Sequence, residues 1–287
     1  MKYAYYPGCS LEGTAQEYDV STRAVMKAAG HDLVEIEDWS CCGASAAEAT
    51  SELLALALAA RNLALAENSE GDILAPCSAC YLNLRTAQDL AERSPADLAR
   101  VNQVLEEVGL KYRGRSRVRH LLDVVVRDLG PDLIRSLVRK PLTGLRLAPY
   151  YGCQCLRPYH DFDDPEAPRS MEPALKATGA DVHPWDMGGR CCGASHMTTK
   201  PEVALKLVEA ILSAARGADA LVTVCPMCQM NLEAYQDRIS KDAGWDLRLP
   251  VLYLSQVLGL AWGLPEKDLR LDLNLSVPRT FGHRPGP

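Results

Sequence analysis

The sequence CCGAS at residues 41–45 occurs a second time at residues 191–195. Each copy lies between an upstream cysteine and a downstream Cys-x-x-Cys, and the offsets between corresponding cysteines are 144, 150 and 148 residues. The ten cysteines of this pattern are Cys9, Cys41, Cys42, Cys77, Cys80, Cys153, Cys191, Cys192, Cys225 and Cys228. Repetition over this length predicts two lobes of similar fold, related by a pseudo-two-fold axis.

Short apolar runs precede the cysteines in both halves of the chain. The runs at 3–6 and 145–151 end at Gly-Cys, and the runs at 72–76 and 220–224 lead into Cys-x-x-Cys, which is typical of buried strands. Because helical patterns separate these strands, we predict two pseudo-symmetric α/β lobes, each a small, mainly parallel sheet with flanking helices. Sites in such sheets lie at the carboxyl ends of the strands, where the five cysteines of each half can converge.

The helical patterns also suggest where the lobes meet. Apolar residues with helical spacing follow each Cys-Cys-Gly, at 53–65 and 203–215. We predict an N-terminal lobe at 1–143, which includes a helical connector at 94–143, and a C-terminal lobe at 144–287. A closing helix is expected in each lobe, at 118–129 and 251–262, and a loose tail is expected after residue 277.

Charge and hydrophobicity narrow the possible function and location. Lys and Arg number 31 and Asp and Glu 37, a net charge of −6, which makes a nucleic-acid-binding protein a poor candidate. The longest apolar stretches, 53–60 and 251–264, are too short or too interrupted by polar residues to predict a transmembrane segment. The first residues lack a signal-peptide pattern, so a cytoplasmic protein is expected. In a reducing cytosol, eleven cysteines favour metal binding over disulfides.

Five thiolates in each half exceed the four ligands of a structural zinc site. Adjacent cysteines seldom reach one metal ion because successive side chains diverge, but they can reach two metals of one cluster. An ordinary four-iron cubane takes four cysteines, so the fifth cysteine favours an open or split iron–sulfur cluster. Two structural Cys₄ zinc sites in a scaffold protein remain an alternative, and a Cys-x-x-Cys by itself could be a redox dithiol.

The paired ten-cysteine pattern resembles that of the CCG-domain family, and in particular the B subunits of heterodisulfide reductases. The resemblance extends from residue 1 to about residue 275. It implies that the ten cysteines hold two noncubane [4Fe-4S] clusters, five cysteines to each cluster. It also implies a small disulfide or thiol substrate between the clusters, with electrons supplied by a ferredoxin-like C subunit that is fed by a flavin-containing A subunit.

The resemblance therefore implies an oxidoreductase subunit that reduces a disulfide, or oxidises thiols, within a multi-subunit complex. Similar CCG proteins also serve as electron-transfer subunits of quinone-linked fumarate or succinate oxidoreductases, and this is the alternative function. The same family resemblance would hold for either role. A disulfide or thiol that perturbs the cluster would favour the first role, and turnover that depends on quinone would favour the second.

Three residues near the second set of cysteines depart from the repeat or add to it. Cys155 has no counterpart, since Leu11 occupies the equivalent place, and we expect a buried thiol that is not a ligand. Gln154 stands where a histidine is expected in many methanogen-type members of the family. His196 lies four residues after Cys192 and is the candidate proton donor for catalysis.

Overall fold

The computed structural model describes residues 1–44, 46–277 and 281, so most of the predicted tail lies outside the described residues. The described chain forms two four-stranded sheets that are similar in size. The strands are β1 (Lys2–Tyr5), β2 (Asp32–Glu35), β3 (Ile73–Ala75), β4 (Val118–His120), β5 (Arg146–Tyr150), β6 (Asp181–Val182), β7 (Ala220–Thr223) and β8 (Val251–Tyr253).

The two sheets have the same strand order. It is β2-β1-β3-β4 in the N-terminal lobe and β6-β5-β7-β8 in the C-terminal lobe, and every pair of neighbours is parallel. β1 and β3, which precede cysteines, are adjacent, as are their counterparts β5 and β7. The predicted α/β class, with two lobes that each contain a small parallel sheet, is confirmed.

Helices flank both sheets and begin at recognisable signals. Ser51 caps the long helix that follows the first Cys-Cys-Gly through its Oγ, and Ser94 caps a helix that has Pro95 in its first turn. The α-helices are α1 (Cys9–Glu12), α2 (Gln16–Ala28), α3 (Ala46–Thr50), α4 (Glu52–Ala66), α5 (Ser78–Arg93), α6 (Pro95–Glu106), α7 (Leu121–Val124), α8 (Gly130–Leu137), α9 (Met171–Ala177), α10 (Pro201–Ala214), α11 (Pro226–Ala234), α12 (Gln236–Ala243) and α13 (Leu254–Trp262).

The expected closing helices at 118–129 and 251–262 need a correction. The first three residues of each stretch are strands, β4 and β8, and helix begins only at Leu121 and Leu254. Apolar residues continue without a break from each strand into its helix, so the sequence pattern resembles a single helix. The segment 94–143 is likewise not helical throughout, because β4 lies within it and pairs with β3.

The last helices of each lobe pack against a helix of the other lobe. α13 packs on α2, while α8 and the π-helical turn Val125–Leu129 pack on α9. Ser21 Oγ on α2 lies 2.7 Å from Ser255 Oγ on α13, and Trp262 Nε1 on α13 donates to Ile134 O on α8 at 3.1 Å, so hydrogen bonds also join the two lobes. One hydrophobic core therefore includes residues of both lobes. The boundary between residues 143 and 144 stays a prediction.

Candidate functional site

The cysteines of both halves lie in the loops at the carboxyl ends of strands or in the first turn of the helices that follow them. We call the first five the N-terminal site and the second five the C-terminal site. Cys9 begins α1 after β1, and Cys77 and Cys225 are the N-cap residues of α5 and α11. The two Cys-Cys-Gly segments lie in irregular loops that follow β2 and β6. The parallel order of the strands thus brings distant cysteines to one end of each sheet.

Within each site the sulfur atoms approach one another in pairs. Cys42 and Cys80 have their Sγ atoms 3.6 Å apart, and the equivalent Cys192 and Cys228 have theirs 3.5 Å apart. In the N-terminal site a second pair, Cys9 and Cys41, lies at 4.0 Å. Among the described residues, no three or more His, Cys, Asp or Glu side chains already form a group that could hold a metal ion.

Each site has an exposed side and a buried side. Cys9, Cys41 and Cys191 are exposed and Cys153 is half-buried, whereas both cysteines of each Cys-x-x-Cys are buried. The second cysteine of each Cys-Cys pair, Cys42 or Cys192, is also buried and contacts the last cysteine of Cys-x-x-Cys. A bound group at either site would therefore contact solvent on one side and the protein interior on the other.

A glycine keeps the first loop of each site clear of side-chain atoms. Gly8 and Gly152 both have a φ of +73°, which favours glycine. A Cβ at Gly8 would lie 2.7 Å from Cys80 Sγ, and a Cβ at Gly152 would lie 3.0 Å from Cys228 Sγ. Glycine is thus required at both positions, by the backbone angle and by the close approach of a sulfur atom.

Matched hydrogen bonds position the Cys-Cys-Gly loops. Asn83 on α5 donates its amide to Cys42 O at 3.1 Å, and Asn231 on α11 donates to Cys192 O at 2.6 Å. Each asparagine lies one turn after its Cys-x-x-Cys. The helix that begins at Cys-x-x-Cys therefore also positions the loop that contains the Cys-Cys pair of the same site. The repeated Asn-Leu after each Cys-x-x-Cys has this structural explanation.

The thiols share protons, so that one cysteine is held as a thiolate while its partner keeps the proton: the pKa of Cys41 and Cys153 is raised where that of Cys42 and Cys191 is lowered. Hydrogen bonds from Cys41 and Cys80 lower the pKa of Cys42 to about 3. In the C-terminal site, the hydrogen bond from Cys153 lowers the pKa of Cys191 to about 6, with help from the Gly193 N–H. Thiolates are the form that binds metal, so both sites offer a sulfur ligand at neutral pH.

The two sites meet at the junction of the lobes. Ser78 Oγ donates to Val224 O at 3.3 Å, so the residues next to Cys77 and Cys225 are in direct contact. The nearby thiols of Cys228 and Cys77 help to hold the pKa of Cys225 well below its usual value. Tyr18 closes the junction, since its hydroxyl donates to Pro76 O at 3.1 Å and to Val224 O at 3.3 Å. A single side chain therefore ties together the residues that precede both Cys-x-x-Cys segments.

The rest of the junction is also polar and fully buried. The ring of Tyr18 stacks on Tyr253 with centroids 4.0 Å apart, and Ser78 Oγ lies 3.2 Å from His120 Nε2. Burial lowers the pKa of His120 to about 4, which keeps the ring neutral. Nothing in the sequence motif pointed to Tyr18, His120 or Tyr253, although the last two end the equivalent strands β4 and β8.

The other predicted site residues lie on the periphery of the C-terminal site. His196 is exposed at the end of the turn Ala194–His196, close enough for its charge to help lower the pKa of Cys191. The buried Cys155 donates its thiol to Tyr151 O at 3.1 Å, and burial raises its pKa to about 12. Gln154 is half-buried next to Cys153.

No helix in the described part of the chain is long and apolar enough to cross a membrane.

Comparison with known proteins identifies relatives across nearly the whole chain. It is 40% identical over 278 residues to the 8-methylmenaquinol:fumarate reductase membrane anchor subunit of Wolinella succinogenes, covering 96% of each chain. It is 31% identical over 280 residues to the B subunit of the ferredoxin/F(420)H(2)-dependent CoB-CoM heterodisulfide reductase of Methanosarcina acetivorans, covering 95% of this chain and 93% of the relative. A protein of Archaeoglobus profundus, named as similar to the B subunit of heterodisulfide reductase, is 30% identical, covering 93% of each chain.

A solved structure and a family model agree with the repeat. The crystal structure of a hypothetical protein from Helicobacter pylori superposes with a TM-score of 0.78 at 17% identity, covering 96% of this chain and 52% of that chain. This likeness shows the fold alone. The model of the CCG cysteine-rich domain matches twice, at residues 3–85 and 147–233. The chain therefore belongs to the CCG cysteine-rich domain family and is a homologue of heterodisulfide reductase B subunits.

Proposed function

We propose that this chain is the electron-transfer subunit of a multi-subunit oxidoreductase and holds two noncubane [4Fe-4S] clusters, one in each lobe. The observation that carries the proposal is the duplicated sulfur site. Each copy contains buried and exposed cysteines, and a glycine, Gly8 or Gly152, leaves space next to a cysteine sulfur that a side chain would fill. The homologues, which include heterodisulfide reductase subunits, independently indicate an iron–sulfur protein. When bound, such clusters store and pass single electrons.

The ligands we propose follow the two sites. The N-terminal cluster would be held by Cys9, Cys41, Cys42, Cys77 and Cys80. The C-terminal cluster would be held by Cys153, Cys191, Cys192, Cys225 and Cys228. The donor set fits the group because every ligand is a cysteine sulfur and because Cys42 and Cys191 already favour the thiolate form. Cys155 is outside this set, because its thiol is bonded to a backbone carbonyl.

The junction of the lobes supports electron transfer between the clusters. Cys77 and Cys225 belong to different sites, and their chain neighbours Ser78 and Val224 are hydrogen-bonded at 3.3 Å, so the two clusters would be neighbours. Tyr18 and the residues around it fill this junction and exclude water from it. A dry, rigid connection suits the passage of electrons because the surroundings need little rearrangement when charge moves.

Between the two roles considered for the complex, the quinone-linked role has the stronger support. The relative from Wolinella succinogenes is 40% identical and is named as a subunit of a reductase that couples 8-methylmenaquinol to fumarate. The relatives named as heterodisulfide reductase subunits are about 30% identical. Gln154, where a histidine is expected for the methanogen-type reaction, agrees with this preference. We therefore propose a partner with a quinol-oxidising or fumarate-reducing centre.

Disulfide reduction is the second candidate, because the hydrogen bond between Ser78 and Val224, which are next to Cys77 and Cys225, would place the two clusters side by side, as a substrate bound between them requires. In that role the partners would be a ferredoxin-like C subunit and a flavin-containing A subunit. His196 would be the candidate proton donor, since it is exposed beside Cys191.

For either role we propose a cytoplasmic location, since a reducing compartment keeps eleven cysteines free of disulfides.

Electron paramagnetic resonance of the anaerobically purified chain separates these roles. A cluster signal that changes on adding small thiols or disulfides would favour the disulfide role. A signal that is insensitive to thiols, in a complex that turns over with a quinol, would support the quinone-linked role. Absence of any cluster signal from protein that contains zinc would refute both.

Replacing one ligand tests the assignment of the cysteines. We expect Cys192→Ala to lose the C-terminal cluster and keep the N-terminal one, which halves the iron content. Cys155→Ala is the matched control, because it removes a buried cysteine of the same lobe that we place outside the ligand set. Unchanged iron in Cys192→Ala, or an equal loss in Cys155→Ala, would contradict the assignment.

A further inference from the structure

The two sites differ in the charges around them although their cysteines correspond. In each lobe, three segments of seven residues flank the cysteines: one after the first cysteine, one before Cys-Cys-Gly and one after Cys-Cys-Gly. The N-terminal segments contain five carboxylates and no Lys or Arg: Glu12, Glu35, Glu37, Asp38 and Glu48. The C-terminal segments contain one carboxylate and three basic residues: Asp186, Arg157, Arg190 and Lys200.

In the N-terminal site these carboxylates gather at the exposed side. Four of them line a cleft of about 520 Å³ together with Cys9 and Cys41. Glu35 forms an ion pair with Arg23, which also pairs with Asp19, and Asp38 forms an ion pair with Arg61. Glu12 and Glu37 are exposed and form no ion pair with a described residue. Two uncompensated negative charges therefore remain at the mouth of this site.

The C-terminal site has a basic residue at the corresponding place. Tyr6 donates its hydroxyl to Ser40 O and Tyr150 donates its hydroxyl to Arg190 O, both at 2.7 Å, so Ser40 and Arg190 are structurally equivalent. Arg190 directly precedes Cys191, is exposed and forms no ion pair with a described residue. Its guanidinium thus adds a positive charge where the N-terminal lobe has a neutral serine.

We propose that Glu12, Glu37 and Arg190 make the C-terminal cluster the one with the higher reduction potential. The inference rests on the proposed function, since it concerns the clusters that the two sites would hold. Reduction adds one negative charge to a cluster, which nearby carboxylates oppose and a nearby guanidinium favours. A single electron, supplied for example by dithionite, then resides in the C-terminal lobe, and no covalent bond is formed or broken.

A potentiometric titration of the full chain, followed by electron paramagnetic resonance, tests this order. We expect two midpoint potentials, and we expect the signal with the higher midpoint to be missing in Cys192→Ala. If Cys192→Ala instead loses the signal with the lower midpoint, the proposed order is wrong. Wild-type protein without iron and sulfide would overturn the proposed function itself, which is a separate outcome.

Charge variants test which residues set the order. Replacing both Glu12 and Glu37 by Gln is expected to raise only the N-terminal midpoint, and Arg190→Ser to lower only the C-terminal midpoint. Glu106→Gln at the end of α6 controls for the loss of one surface charge and is expected to shift neither. The shifts should shrink at high ionic strength. Midpoints that do not respond to these variants, or that both move together, would contradict the proposal.

Discussion

Gly8 and Gly152 occupy the same place in the two lobes and meet the same two constraints, a φ of +73° and a sulfur atom in the way of any side chain. We predict that Gly8→Ala loses the N-terminal cluster and keeps the C-terminal one. The new Cβ would lie 2.7 Å from Cys80 Sγ and would displace a ligand. Iron and sulfide analysis of the purified variant measures the effect.

Gly30→Ala is the matched control for this substitution. Gly30 has a φ of +79°, but a Cβ there has no heavy atom within 4 Å. Both variants carry the cost of a left-handed alanine, about 1 kcal/mol in the free energy of unfolding. If Gly30→Ala lost as much iron as Gly8→Ala, backbone strain would explain the loss, and the contact with Cys80 would not matter.

Among individual residues, the sequence motif points to the ten cysteines but not to the residues that surround them. The ten cysteines are recognisable because their order and spacing repeat. Tyr18 was not predicted because the carbonyl groups it binds belong to Pro76 and Val224, which are 58 and 206 residues away along the chain. His120 was missed for the same reason, since its contact with Ser78 depends on how the strands are ordered in the sheet.

Among the helices, α5 and α11 each join two parts of a site. We predict that Asn83→Ala weakens retention of the N-terminal cluster by about 10-fold or more, because the amide that holds Cys42 O is lost. Iron retained after dilution into a chelator would measure the change. The C-terminal cluster should be unaffected.

Asn102→Ala is the control for Asn83→Ala. Asn102 is also a buried asparagine on a helix, but its amide binds the backbone of Tyr112 rather than a cysteine loop. Its loss is expected to cost about 1–3 kcal/mol of stability and to leave both clusters in place. Equal loss of iron from the two variants would mean that Asn83 acts only through general stability.

The strands and helices were predicted unevenly. Strands β1, β5, β3 and β7 lie within two residues of their predicted ends because an apolar run stops at a cysteine motif. The residues of β4 and β8 have a helical pattern in the sequence because each strand has only three residues and continues directly into a helix. Such short strands are specified by their neighbours β3 and β7, and this pairing is not visible in a local sequence pattern.

In the chain as a whole, α2 connects the N-terminal lobe to the C-terminal one through buried groups. Glu17 on α2 is only 2% exposed, and burial raises its pKa to about 7, with a further contribution from Glu233. Arg270 opposes this rise and Asp272 adds to it. The folded chain therefore binds a proton at Glu17 that the unfolded chain releases near its ordinary pKa.

The sign of the pH dependence follows from this difference. Between about pH 4.5 and pH 7 the folded state binds more protons at Glu17 than the unfolded state, so stability falls as the pH rises. We predict that the free energy of unfolding of Glu17→Gln falls by roughly 2 kcal/mol less than that of the wild type over this pH range. Urea unfolding of both chains at pH 5 and pH 7.5 measures it, and parallel pH dependence in the two chains would contradict the prediction.

The two-lobed arrangement was predictable from the repeat, but the way the lobes hold each other was not. Each closing helix packs on the opposite lobe, and Ser21 meets Ser255 across the junction. This exchange brings the segments before and after Cys77 and Cys225 together, through the hydrogen bonds of Tyr18 and Ser78, and makes the two sites one unit. Internal symmetry in a sequence predicts similar lobes but does not specify the faces that they share.

Every role proposed for the chain depends on two four-iron clusters in the duplicated five-cysteine sites. Analysis of iron and acid-labile sulfide in the anaerobically purified chain tests for them. We expect about eight irons and about eight sulfides per chain. About two zinc ions per chain with no sulfide would contradict the proposal and would leave two structural zinc sites as the explanation of the repeat.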